Sequence, residues 1–323
     1  MSYSNATDFT NPSTFILLGI PGLETAHVWA HVWISIPFCA IYAIVILGNL
    51  TILFIVKTEP SLHEPMYYFL CILAITDLLL TTSTLPKMLS IFWFNSREIS
   101  FSACLAQLYF VQCFSVIESG ILAAMALDRY VAICHPLRHS TILTNPVVAK
   151  ISLAVVLRSS VVVLPYPLLV RQWSYCRTNI ISHSFCAHMA VVKLACGDTR
   201  VSSYYGLFVL FCMLGLDLVF IAISYMQILR AIFSLPTKEA RFKTFWTCGS
   251  HLCAIVIFYI PTVFSALMYR FGQNFPLHVH VLIGSMYLLL SPMLNPLIYG
   301  VKTKQIWGRL LWLISQKQFK VFS

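Results

Sequence analysis

Charge is scarce in this chain: of 323 residues only 10% are Asp, Glu, Lys or Arg, and only 11 are acids. With 59% hydrophobic residues and a positive mean hydropathy, a soluble domain of this length is excluded and an integral membrane protein remains. The first 27 residues lack a basic region followed by an apolar run, so no cleaved signal peptide is expected and the first membrane helix would direct insertion. Internal repeats and a continuous polar path are also missing, which disfavours the alternative of a transporter or channel. No nucleophile and base occur together with a metal or cofactor motif, so an enzyme is not expected. The net charge of +10 is spread over short loops rather than gathered on one face of a domain, a pattern that suits anionic lipid and not nucleic acid.

Seven apolar segments are long enough to span a bilayer: Val28 to Val56, Met66 to Leu89, Phe101 to Cys134, Val147 to Val170, Tyr204 to Phe233, Thr244 to Met268 and Val279 to Val301. In lipid every backbone polar group needs an internal partner, so these segments are helices. The expected fold is an all-α membrane protein, a seven-transmembrane helix bundle (28–301) after an extracellular tail (1–27) and before a cytoplasmic tail (302–323). Lys and Arg set the orientation: 13 fall on one side and 7 on the other, which predicts the amino terminus outside and the carboxyl terminus inside. The sequon Asn5-Ala6-Thr7 agrees, with Asn5 as the glycosylation site. Lys302 to Ile314 alternates basic and apolar residues at helical spacing, as an amphipathic helix on the inner leaflet does. The apolar run Phe15 to Leu18, ended near Pro21-Gly22, is expected to pack over the outer mouth of the bundle.

The third span organises the rest. Cys104 and Asp128 are 24 residues apart, about 36 Å on a helix, enough to cross a core of about 30 Å. Between them lies Glu118, and the second span carries Asp77. An unpaired charge at that depth costs a few kcal/mol at least, about 2.5 or more, so each acid must be protonated, paired or bound to a cation. Asn49 and Asn295 lie at depths that allow convergence on them. Arg158 and Asp217 are further charges inside spans and are expected to pair within the bundle. Cys104, Cys176, Cys186 and Cys196 fall on the oxidising side and suggest two disulfides, with three pairings open. The other cysteines sit within or near helices and behave as small apolar residues.

Met125-Ala126-Leu127-Asp128-Arg129-Tyr130 through His139 resembles the signature of the olfactory receptors among the rhodopsin-like G-protein-coupled receptors. Pro65-Met66-Tyr67-Tyr68-Phe69-Leu70, Ser224-Tyr225, Lys243 to His251, Phe258-Tyr259-Ile260-Pro261 and Asn295-Pro296-Leu297-Ile298-Tyr299-Gly300 follow in that family's order, over essentially the whole chain. Leu18-Gly19-Ile20-Pro21-Gly22-Leu23-Glu24 and the long second outer loop resemble the class I, or fish-like, receptors and within them olfactory receptor family 51. Leu127 and Thr244 depart from the residues usual in the family, Tyr and Ala.

The resemblance implies a plasma-membrane receptor that binds a small volatile odorant and activates a heterotrimeric stimulatory G protein, raising cyclic AMP. It implies a Cys104–Cys186 staple and a Cys176–Cys196 bridge within the loop, with Cys104–Cys196 as the alternative. Asp128, Arg129, Tyr130, Tyr225, His251, Tyr259, Asn295, Pro296 and Tyr299 stand at positions for activation and coupling, with bends at Pro261, Pro292 and Pro296. A structural sodium ion at Asp77 and Glu118 would be the only bound cofactor. Arg270 lies nine residues past Pro261, about 13 Å along the helix, where the matching arginine of class I receptors anchors short acids. The remaining ligand-binding candidates are His188, Gln112, Met189 and Ala266. Met189 and Ala266 replace polar groups of a fatty-acid-binding relative, which favours a more apolar carboxylic acid.

Overall fold

A computed structural model describes residues 12–20, 28–175, 178–271, 275–302 and 306–311, side chains of 28–31, 271, 301 and 302 excepted. Asn5 and Cys176 therefore lie outside the described residues. Among the described residues seven helices are long and apolar enough to cross a membrane: α1 (Val28–Thr58), α2 (Pro65–Phe94), α3 (Phe101–Cys134), α4 (Asn145–Arg171), α5 (Arg200–Ser234), α6 (Lys238–Phe271) and α7 (Leu277–Lys302). Each covers the expected segment and most run past it. The longest extension is polar: α6 begins with Lys238, Glu239 and Arg241, which hydropathy does not register but which form a helix once the apolar part has nucleated it.

α3 is the axis. In its most apolar stretch 78% of residues are buried by protein, against 22% in α4, so α3 meets neighbours on all sides while α4 turns most of its surface to lipid. It starts at Ser100, whose hydroxyl accepts from the Ala103 amide at 3.3 Å, a cap worth about 1 kcal/mol. One turn later Cys104 is tied to Cys186. Within α5, residues Val209–Leu214 form a π-helical turn, a widening that often accompanies function and that no residue pattern had signalled.

A small sheet, also without a sequence signal, closes the Cys104 end. Its strands are β1 (Thr14–Leu17), β2 (Glu98–Ser100) and β3 (Ile180–Ile181), in the order β2-β1-β3. β1 runs antiparallel to β2, with Phe15 opposite Ile99, and parallel to β3, with Ile16 opposite Ile180. Phe15 and Leu17 are fully buried, each worth about 1.5–3 kcal/mol. Phe15 meets Tyr175 edge-on at 5.4 Å. The tail thus packs over this end as expected for residues 14–20, and it also pairs with the loop that follows α4.

At the opposite end residues 306–311 are helical, with Ile306 buried and Arg309 2.6 Å from Glu59. These residues fall within the stretch Lys302 to Ile314, the rest of which past Lys302 lies outside the described residues.

Candidate functional site

The loop between α4 and α5 is held over the bundle by two devices. One is the Cys104–Cys186 disulfide, which settles that pairing. The other is Gln107 on α3, whose Oε1 accepts from the Cys186 amide at 2.9 Å while Nε2 donates to the Ser83 carbonyl at 2.8 Å. Cys196 is also disulfide-bonded. The seven cysteines expected to stay reduced, from Cys39 to Cys253, are free.

Beneath this loop lies a cavity of about 100 Å³ between α3, α5, α6 and α7. A cavity of about 150 Å³ can hold benzene, so the scale is that of a small organic ligand. All five expected ligand residues line it: Gln112, His188, Met189, Ala266 and Arg270. Sequence reasoning missed Ser115, Thr262, Ser265, Tyr269 and Tyr287, which also line it. Helical spacing could have supplied most of them, since 262, 265, 266, 269 and 270 share a face, as do 112 and 115. Tyr287 is oriented by Ser115, hydroxyl to hydroxyl at 2.6 Å.

Arg270 donates Nη1 to the Ala266 carbonyl at 3.2 Å and Nη2 to the Ser203 carbonyl at 3.4 Å. Its Nε has no partner, and neither do Tyr269 Oη and His188 Nε2, although all three atoms are buried. Among the described residues no Asp or Glu lines the cavity. His188 meets the edge of Tyr166 at 4.5 Å between ring centres. Burial first, and the Arg270 cation second, push His188 down to about 3, so its ring is neutral near pH 7.

Below the cavity, Asp77 and Glu118 do converge, both buried. Asn295 Nδ2 lies 3.1 Å from Asp77 Oδ2 and 3.4 Å from Glu118 Oε1, and the Ser291 hydroxyl donates to that same Glu118 oxygen. Asn49 does not join them. It donates instead to the Pro292 carbonyl at 3.4 Å, stitching α1 to α7. Asn295 Oδ1 is buried without a partner. Two carboxylates, a hydroxyl and a free amide oxygen make a hard oxygen donor set of the kind that suits a small cation better than transition metals.

Arg158 and Asp217 turn out to pair with each other. Nη1 and Nη2 each lie 2.8 Å from a carboxylate oxygen, a bidentate bond from α4 to α5. Ser119 on α3 donates to Asp217 at 2.9 Å and meets the Tyr259 hydroxyl on α6 at 2.7 Å. Tyr259 therefore belongs to this four-helix network.

At the far end of α3, Asp128 is buried and holds Arg129 Nη2 at 2.9 Å and His139 Nε2 at 2.9 Å. Tyr130 contacts His135 at 3.3 Å. His251 on α6 joins two helices: Nε2 lies 3.1 Å from the Leu122 carbonyl and Nδ1 2.8 Å from the Tyr225 hydroxyl. A carbonyl only accepts, so Nε2 carries the proton and Tyr225 donates to Nδ1. Arg129, His251 and Tyr299 line a second cavity of about 340 Å³ at this end. Pro296 packs on Gly48, where an added Cβ would lie 2.7 Å from the proline ring.

Residues 38–317 match the family model of the olfactory receptors. Human olfactory receptor 52R1 is 51% identical over 311 residues, covering 96% of this chain and 98% of that receptor. Rat olfactory receptor 51E2 is 50% identical over 307 residues, covering 95% and 94%. Human olfactory receptor 52P1 is 50% identical over 318 residues, covering 98% of each. With seven spanning helices, the Asp128-Arg129-Tyr130 end of α3 and a loop-covered cavity in one chain, this protein belongs to the olfactory receptors, a family of odorant-sensing G-protein-coupled receptors and not of enzymes.

Proposed function

We propose that this receptor detects a small volatile carboxylic acid at the plasma membrane and activates a stimulatory heterotrimeric G protein to raise cyclic AMP. The observation that carries the ligand class is Arg270: a half-buried guanidinium on a cavity with no acid among its described lining residues, its Nε buried and unpaired, with the unpaired Tyr269 hydroxyl and His188 Nε2 on the same lining. An anion bound there gains charge-assisted hydrogen bonds of about 1.5–3 kcal/mol each, and leaving those donors unmade has a cost. The neutral His188 ring adds a donor or an acceptor without competing as a cation. Ala266 and Met189 extend the apolar part of the wall formed by Val116, Val209, Leu210 and Leu214, which suits an alkyl chain.

The amino terminus is outside and the carboxyl terminus inside, as the Lys and Arg count supports. That orientation turns the second cavity, with Arg129 and Tyr299, toward the G protein, and sets residues 306–311 against the inner leaflet. Ligand binding favours the coupling state to the extent that the acid's contacts differ between states. Asp77, Glu118, Ser291 and Asn295 would hold a sodium ion, which supplies the positive charge that two buried carboxylates otherwise lack.

The test is cyclic AMP in cells displaying the receptor, scanned across straight-chain acids and the matching alcohols, with Arg270→Ala at equal surface expression. Acids should activate the parent and fail on the variant. Equal potency of alcohols, or an unchanged variant, would refute the acid.

A further inference from the structure

We propose that Gly206 on α5 is a specificity-determining position: its missing side chain leaves the slot in which the Arg270 guanidinium sits, and this makes the receptor acid-selective. The proposal rests on the acid reading above and names the residue that positions its anchor. A Cβ at 206 would come 2.7 Å from Arg270 Nη2, well inside van der Waals contact. The atom it meets is the far end of a long flexible side chain, so the guanidinium moves and the backbone does not. The same Cβ would lie 3.5 Å from the His188 ring, an ordinary contact that leaves the loop in place.

The displaced group has little to hold it back. Its bonds to the Ala266 and Ser203 carbonyls, at 3.2 and 3.4 Å, are long, and it has no carboxylate partner among the described residues. Ser203 is one turn from residue 206 on the same helix, so α5 both supplies an acceptor for Nη2 and clears the space beside it. A methyl group at 206 removes that space. It thus turns the fork away from the position where a ligand carboxylate meets it, while adding apolar surface that a neutral ligand tolerates.

Gly206→Ala, Arg270→Ala and the double variant are compared with the parent in the cyclic AMP assay, with surface display measured on the same cells. The probes are the most potent straight-chain acid of the scan and the alcohol of the same length. Gly206→Ala should raise the half-maximal acid concentration about tenfold to a hundredfold, the worth of one or two hydrogen bonds to a charge, and leave the alcohol response unchanged. On the Arg270→Ala background, where the acid response is lost, it should restore none of it. An acid shift of less than about twofold, or an alcohol shift as large as the acid shift, overturns the proposal. If Arg270→Ala itself leaves the acid response intact, the acid reading fails first and this assignment falls with it.

Discussion

Arg158 is where a single substitution should most disturb the bundle. Asp217 is buried, at 7% exposure, and takes both guanidinium nitrogens at 2.8 Å with, among the described residues, only the Ser119 hydroxyl besides. Arg158→Met keeps the stem and removes the charge, leaving the carboxylate with one partner out of three. Breaking a buried pair costs about 3–5 kcal/mol. The lower end applies, because the Arg158 side chain is 34% exposed. A cost of about 3 kcal/mol shifts a folding equilibrium roughly 150-fold. Thermal inactivation of receptor in lipid nanodiscs measures it. Adding Asp217→Leu to Arg158→Met should restore stability to within about 1 kcal/mol of the parent, since an apolar pair replaces an ionic one without an orphan. A single variant within about 0.5 kcal/mol of the parent, or a double variant no better than the single, would show that the pair is not an energetic link between α4 and α5.

Two further perturbations act through charge. His183 and His188 are both buried in the loop and pushed down to about 3, chiefly by burial and then by His280 and Arg270 respectively. The unfolded chain takes up protons first, near the ordinary value of about 6.5, so stability is full above that pH and falls as acid lowers it toward 3, by about 1.4 kcal/mol per pH unit for each ring. Melting temperature should therefore drop between about pH 7.5 and about pH 5, and His183→Gln with His188→Gln should flatten the slope; a parent that gains stability in acid contradicts the burial of these rings. The cation site is probed by exchanging sodium for choline at constant ionic strength. Melting temperature should fall in the parent and stay unchanged in Asp77→Asn, and an equal response of both would remove sodium from Asp77 and Glu118.

Length and apolarity made the seven helices legible, because a continuous apolar run of spanning length satisfies its own backbone in lipid only as a helix. The face each helix turns inward was legible only in part. Ala266 and Arg270 lie on the face of α6 that lines the cavity, and the residues one turn away follow from spacing alone. Asn49 shows the limit: its depth suited the carboxylates, but its rotation about the α1 axis is set by the close approach of Gly48 to Pro296, which aims the amide at the Pro292 carbonyl instead. Partner choice between helices is harder still. Arg158 and Asp217 are 59 residues apart in sequence, and nothing local prefers Asp217 over another buried acid until packing brings α4 and α5 together. The sheet is the extreme case, since strands of two to four residues carry no periodicity and pair across the chain only after α3 and the disulfide have gathered their ends. What the sequence alone hides is therefore rotation and long-range pairing, and both are fixed here by a few close contacts: Gly48 on Pro296, Gln107 on Cys186, and the space at Gly206. A residue with no functional group can therefore matter as much as a charged one: Gly206 contributes the position it leaves to Arg270.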